Sequence, residues 1–204
     1  MSGSSLPLIL ASASPRRREL LERVGVPIVV VPADVDEAAH AGEAPSAYVL
    51  RIARAKAAAI ARPAGQWVLA ADTTVTIDGQ ILAKAETPDE ATRMLRPLAG
   101  RAHQVLTAFV LVGERAGAPW QREELVTSEV VMIDFDAETL ADYVASNDWR
   151  GKAGAYALQG IAAALVREVR GSVTNVIGLP LAEVLAALRE VGGPLPRFAA
   201  GKPA

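Results

Sequence analysis

An apolar run that turns straight into a helix start is the feature that most restricts how this chain can fold. LPLILAS, residues 6–12, has the length and composition of a buried strand. Just beyond it, Ser14 suits an N-cap and Pro15 the first helical position, where a missing N–H costs nothing. The helix is expected to run to about Val24 and to stop at Gly25. A strand that feeds a helix so directly belongs to a layered α/β arrangement.

The remaining pattern extends that arrangement. VPIVVVPADVDE reads as a second strand leaving into an acidic loop, and PSAYVLRIARAKAAAIARP as a helix that ends before Pro63. QWVLAADTTVTIDGQILAK is expected to give strand, strand and a hairpin at Asp78-Gly79. Thr87, Pro88 and Glu90 form a capping box for a helix that Gly100 closes. HQVLTAFVLVG and EELVTSEVVMIDF are expected as two long strands joined by a loop over 114–119, followed by the capped helix DAETLADYVAS. NDWRGKAGAYALQG breaks the pattern; after it come a strand in AAALVREVRGS and one final helix in NVIGLPLAEVLAALREV. Only 4% of residues are aromatic, so the core has to be aliphatic. The sequence thus predicts one bilobed α/β domain over 1–191, built on a mixed sheet, and a flexible C-terminal tail over 192–204.

The charge balance excludes several functions. A net charge of −2 gives no global field for nucleic acid or an anionic membrane, so any anion has to be held by a local cluster. Cysteine is absent, which removes disulfides, thiol nucleophiles and Cys-based metal sites; His40 and His103 stand too far apart in sequence to suggest a His-rich zinc centre. No stretch approaches the roughly 20 apolar residues of a membrane span, and the N-terminus lacks the basic region of a signal peptide. The expectation is a soluble cytoplasmic protein.

Against that background, SASPRRRELL is electrostatically awkward. A helix start carries partial positive charge and favours Asp or Glu, yet three arginines follow Pro15. Either they are solvated surface residues, or an anion sits with them on free backbone N–H groups, as phosphates do. Asp72, at the end of the run VLAAD, could project a carboxylate into a cleft or cap a turn. Lys56 in RIARAKAAA, Lys84 in ILAKAE, and Lys152 with Gln159 in GKAGAYALQG could contact a ligand or face solvent. Asp34, Asp36 and Glu37 are acidic enough to attract a hard divalent cation but lack an EF-hand's fixed ligand series. Taken together, several cations and carboxylates at strand ends and glycines suit polyphosphate chemistry, with cations on the phosphates and a carboxylate handling water or metal.

LASASPRRRELL, DVDE, RIARAKA, AADTTV, LAGRAHQVLTAFVL, GKAGAYALQG and GSVTNVIGLPL, in that order over roughly Leu8 to Leu188, resemble the Maf family of nucleoside triphosphate pyrophosphatases. The DT after the strand, with KAGAY and LQG, looks like the branch that hydrolyses dTTP and UTP. The resemblance implies an elongated sheet flanked by helices, a cleft between two lobes, and the inosine-triphosphatase-like architecture. It implies cleavage to a nucleoside monophosphate and pyrophosphate, a magnesium or manganese ion, and a homodimer. Carried over by position, Asp72 matches the proton acceptor, and Arg16, Thr73 and Gln159 the positions tied to base selectivity. Ser12, Arg17, Lys56 and Lys84 match polar cleft residues, with Lys152 a further candidate; Glu37 and Asp72 match acidic positions that could hold metal. Two departures stand out: Ala85 follows Lys84 where many members have proline, and Trp149–Gly151 reads WRG where many have proline and aspartate. The competing readings are a non-enzymatic nucleotide-binding regulator of septum formation or cell division, and a nucleotidyltransferase, which would need an acceptor and release no free monophosphate.

Overall fold

The computed structural model describes residues 6–196, so the tail expected over 192–204 lies outside the described residues from 197 onward. Strand β1 (Leu8–Leu10) leads into helix α1 (Pro15–Arg23), with Ser14 at the N-cap position and Pro15 first in the helix as expected, although the Ser14 side chain makes no capping bond. Strand β2 (Ile28–Val30) runs parallel to β1 at the edge of the sheet and is shorter than the valine run suggested. Helix α2 (Pro45–Ala58) is followed by β3 (Val68–Ile77), a single strand up to the Asp78-Gly79 turn and not two. Strand β4 (Gln80–Leu82) returns along it.

Helix α3 (Pro88–Leu95) carries the expected capping box: Glu90 N–H donates to Thr87 Oγ1, and the Glu90 carboxylate accepts from Thr87 N–H. Strands β5 (Ala102–Arg115) and β6 (Ala118–Met132) pair in continuous register to their ends. The loop expected over 114–119 is therefore a two-residue turn. Ala116 and Gly117 both take positive φ, 51° and 79°, the conformation that matches strand twist in tight hairpins. Helix α4 (Ala137–Ala145) and strand β7 (Val166–Arg170) follow. The final helix is in fact two, α5 (Val173–Ile177) and α6 (Leu181–Glu190). Gly178 (φ 130°), Leu179 and Pro180 separate them, because a proline disfavours helical backbone in the residue before it.

The sheet has the order β2-β1-β3-β5-β6-β7, with β4 beside β3. Its strands carry three apolar clusters. Leu69, Ala71, Phe109 and Leu111 pack with α1 and α6 on one face. Val68, Ala70, Leu106 and Ala108 pack with α2 on the other. Beyond them, Val75, Val105 and Met132 pack with α3, α4 and Trp149 at the far end of the sheet. Strands β5 and β6 run through all of this, so the two ends share one backbone.

The edge of β3 that faces away from β5 positions everything that follows. β1 pairs with it only at Val68 and Leu69, and β4 only from Val75. Between these, residues 70–74 of β3 keep β5 on one side and have no strand on the other. The sheet is notched there.

At the far end, His103 is buried, with Nε2 2.6 Å from Tyr156 Oη and no partner at Nδ1. Burial pushes its pKa down from 6.5 to about 4. The unfolded chain therefore takes up this proton at a higher pH than the folded one. The stability held by neutral His103 is complete above about 6.5 and is lost as pH falls through about 4. Thermal unfolding is expected to show a midpoint that drops between these two values in the native chain, and drops less steeply in His103→Gln.

Candidate active site

Alternation along β3 decides which side chains meet at the notch. Asp72 continues the Val68 and Ala70 face, toward α2; Thr73 continues the Leu69 and Ala71 face, toward α1. With no neighbouring strand to separate the faces, both residues line one cavity of about 530 Å³. That lies within the range of small-molecule sites.

On the α2 side, Tyr48, Ile52 and Lys56 are spaced four apart and share a helix face. Lys56 Nζ reaches Asp72 Oδ1 at 2.8 Å and Glu37 Oε1 at 2.7 Å. Lys84 Nζ lies 3.6 Å from Glu37 Oε2. Burial alone would raise the Glu37 pKa, but the hydrogen bond and charge of Lys56, with Lys84, outweigh it and hold the carboxyl below its ordinary value. Tyr48 Oη donates to the Glu37 carbonyl at 3.0 Å and fixes the acidic loop. Burial, with the charges of Asp72 and Glu37, pushes the Tyr48 phenol up to about 12, so it stays neutral. Among the described residues Asp72 Oδ2 has no hydrogen-bond partner.

On the α1 side the arginines divide. Arg17 is buried and committed: Nε donates to Gly178 O at 2.7 Å, Nη1 to Ser12 Oγ at 3.0 Å and Nη2 to Thr73 Oγ1 at 3.0 Å. Burial lowers its pKa, against the opposing charges of Asp72 and Glu37. Arg16, half-buried, lines the same cavity with no side-chain hydrogen bond among the described residues, and burial lowers it too. Ser14 offers no side-chain cap and the first turn of α1 has no acid, so the helix start presents uncapped backbone N–H groups beside Arg16. Four cationic side chains face two carboxylates in the cavity, a formal surplus of two positive charges in a chain of net −2.

The structure thus brings Ser12, Arg16, Arg17 and Thr73 together with Glu37, Lys56, Asp72 and Lys84. It does not bring in Lys152 or Gln159. Lys152 Nζ turns to Asp148 Oδ1 at 2.6 Å, while Asp148 Oδ2 accepts from Ile161 N–H at 2.9 Å and clamps the loop. Gln159 is exposed on that loop and outside the cavity lining. Of the loop's glycines, Gly151 lines the cavity, whereas Gly154, at φ 66°, serves packing: it lets the backbone lie against Val75 and donate to the Leu82 and Ala83 carbonyls. Tyr48, Tyr156 and Gly178 line the cavity without having been singled out from sequence. For Tyr48 a signal existed, its spacing of eight from Lys56 on one helix.

Glu37 and Asp72 are hard oxygen donors of the type that suits magnesium or manganese, and Lys56 draws Oε1 of one and Oδ1 of the other to one point. Among the described residues no group of three or more His, Cys, Asp or Glu could form an all-protein cage.

A family model, Maf-like protein, matches residues 7–191. The chain belongs to the Maf family. Curated proteins named dTTP/UTP pyrophosphatase are similar to it over nearly their whole length. That of Anaeromyxobacter dehalogenans is 48% identical, over 93% of this chain and 96% of its own. That of Rhodospirillum rubrum is 49% identical, over 93% and 90%. That of Cereibacter sphaeroides is 47% identical, over 96% and 100%. Among solved structures, the Ham1 protein of Staphylococcus aureus overlaps 63% of this chain and 73% of its own, at TM-score 0.43 and 15% identity. Within this Maf chain no described helix is long and apolar enough to cross a membrane.

The division between the arginines is testable. Arg17→Lys removes the fork that joins three acceptors and is expected to cost about 2–4 kcal/mol of stability in denaturant unfolding. Arg16→Met is expected to leave stability within about 0.5 kcal/mol while weakening the binding of tripolyphosphate in calorimetry.

Proposed function

We propose that this chain hydrolyses dTTP and UTP between the α- and β-phosphates, releasing the nucleoside monophosphate and pyrophosphate. The observation that carries the proposal is the Asp72 carboxylate, anchored through Oδ1 by Lys56 and open at Oδ2, facing an uncommitted Arg16 across a cavity with surplus positive charge. The names of the relatives support the same reaction.

In this reading the phosphates lie across the start of α1, held by Arg16 and the uncapped N–H groups, and Lys84 approaches from the opposite wall. Arg17 keeps Ser12, Thr73 and the Gly178 carbonyl in place and fixes the floor on which the nucleotide rests. Lys56 holds the Asp72 carboxylate in one orientation, and Asp72 accepts the proton of the attacking water through Oδ2. Glu37 would hold a magnesium or manganese ion, joined by Asp72 if that carboxylate serves as ligand in place of base, and the ion would supply charge neutralisation on the phosphate oxygens. The protein acts as a homodimer on the free nucleotide pool of the cytoplasm.

A panel of nucleoside triphosphates, followed by release of pyrophosphate and monophosphate, tests the activity; dTTP and UTP are expected to be turned over fastest. Asp72→Asn keeps the shape and removes the basicity, and is expected to lose about 10²- to 10⁴-fold in kcat with nucleotide binding retained. Near-normal turnover in that variant would refute the assignment. Chelation of divalent ions is expected to stop turnover, and added magnesium or manganese to restore it. Nucleotide binding by the native chain without pyrophosphate release would favour the regulatory reading instead.

A further inference from the structure

Thr107 lies in the middle of β5, fully buried, and does not line the cavity. Its hydroxyl nevertheless stands in line with the site. Arg17 Nη2 is 3.0 Å from Thr73 Oγ1, Thr73 Oγ1 is 2.9 Å from Thr107 Oγ1, and Thr107 Oγ1 donates to the Asn175 carbonyl at 3.0 Å. The two ends of this row have no choice of role. A guanidinium only donates and a carbonyl only accepts.

The direction of every bond between them follows. Thr107 gives its proton to Asn175 O, so toward Thr73 it accepts. Thr73 gives its proton to Thr107 and accepts from Arg17. The one competing acceptor for the Thr73 proton, Gly178 O, is 3.3 Å away, farther than Thr107 Oγ1 at 2.9 Å. Asn175 O also accepts from Gly178 N–H at 2.9 Å, and Asn175 Nδ2 is tied to Val105 O and Ser128 Oγ, both at 3.0 Å. The far end of the row is thereby immobilised.

We infer that Thr107 is a specificity-determining positioning residue: it draws the Thr73 proton inward and leaves the Thr73 oxygen a hydrogen-bond acceptor toward the cavity. The inference rests on the proposed action on dTTP and UTP. The pairing edge of thymine or uracil holds one N–H, at N3, between two carbonyls. An acceptor-only hydroxyl can meet that edge at N3–H alone. Cytosine presents a lone pair at N3, and two acceptors facing each other in a buried site leave both unpaired.

The test compares UTP with CTP. Thr107→Cys keeps a donor for the Asn175 carbonyl but accepts poorly, which frees the Thr73 proton to turn toward the cavity; Thr107→Val removes both roles, and Thr107→Ser keeps both. The ratio of kcat/KM for UTP over CTP is expected to fall on the order of ten-fold in the Cys and Val variants, through a lower KM for CTP, and to hold in the Ser variant. A ratio unchanged in folded Thr107→Cys, or UTP and CTP impaired alike in it, overturns the inference; Thr107→Cys decides should Thr107→Val fail to fold. A native chain that releases pyrophosphate from no nucleotide overturns the proposed function instead, and the inference is then read from UMP against CMP binding in calorimetry. There the native preference for UMP is expected to narrow in Thr107→Cys, and an absent or unaltered preference overturns it.

Discussion

The notch in the sheet, where β3 runs for five residues with a strand on one side only, is the constraint on which the rest depends. In a fully paired sheet, Asp72 and Thr73 would serve opposite faces and never share a ligand. Because β1 stops at Leu10, opposite Leu69, and antiparallel β4 stops at Leu82, opposite Val75, both faces open into one space. Helix α2 then supplies a lysine from one side and α1 an arginine from the other. A site built from two faces of one strand needs no residue to stray from regular backbone. Its precision is inherited from the sheet.

Electrostatics complete what topology begins. The chain is slightly acidic overall, so the attraction for a phosphate exists only within the cavity. Inside it, the roles of like residues separate. Lys56 is neutralised between two carboxylates and Arg17 is spent on hydroxyls and a carbonyl, whereas Arg16 and the first turn of α1 have acceptors missing. The clash of arginines with a helix dipole is thus confined to the one guanidinium that a polyanion can reach.

Much of this was legible in the sequence where a local signal and a tertiary demand coincide. The unit over 6–25 was read correctly because an apolar run, a Ser-Pro start and a glycine stop agree with one another. The Thr87 capping box was equally plain. The β5–β6 turn was missed because Ala116 occupies a positive φ usually signalled by Asn, Asp or Gly. The α5–α6 break was missed because apolar spacing in NVIGLPLAEVL carries across Pro180, although Leu179 before the proline is the place to stop. Among site residues, Asp72, Lys56 and Arg16 could be named as candidates from chemistry, but their meeting depends on which strand edge is left bare. Gln159 and Lys152 stand out in sequence both by their glycine-rich surroundings and by the resemblance, but Asp148 draws the Lys152 ammonium to itself and Gln159 is exposed outside the cavity lining. Nothing local distinguishes Thr107 from an ordinary strand threonine.

Strands β5 and β6 pass without interruption from one apolar cluster to the next. A hinge needs a few residues free to absorb large backbone rotations, and a continuous ladder of fourteen paired positions offers none. The two halves of the molecule are therefore a single stiff frame, unlike a clamshell. Enclosure of a bound molecule falls to segments strung between strands, and these too are tied down. Tyr48 holds the acidic stretch ahead of α2 at the Glu37 carbonyl, and Asp148 the glycine-rich stretch after α4, so the mouth of the site is as braced as its base.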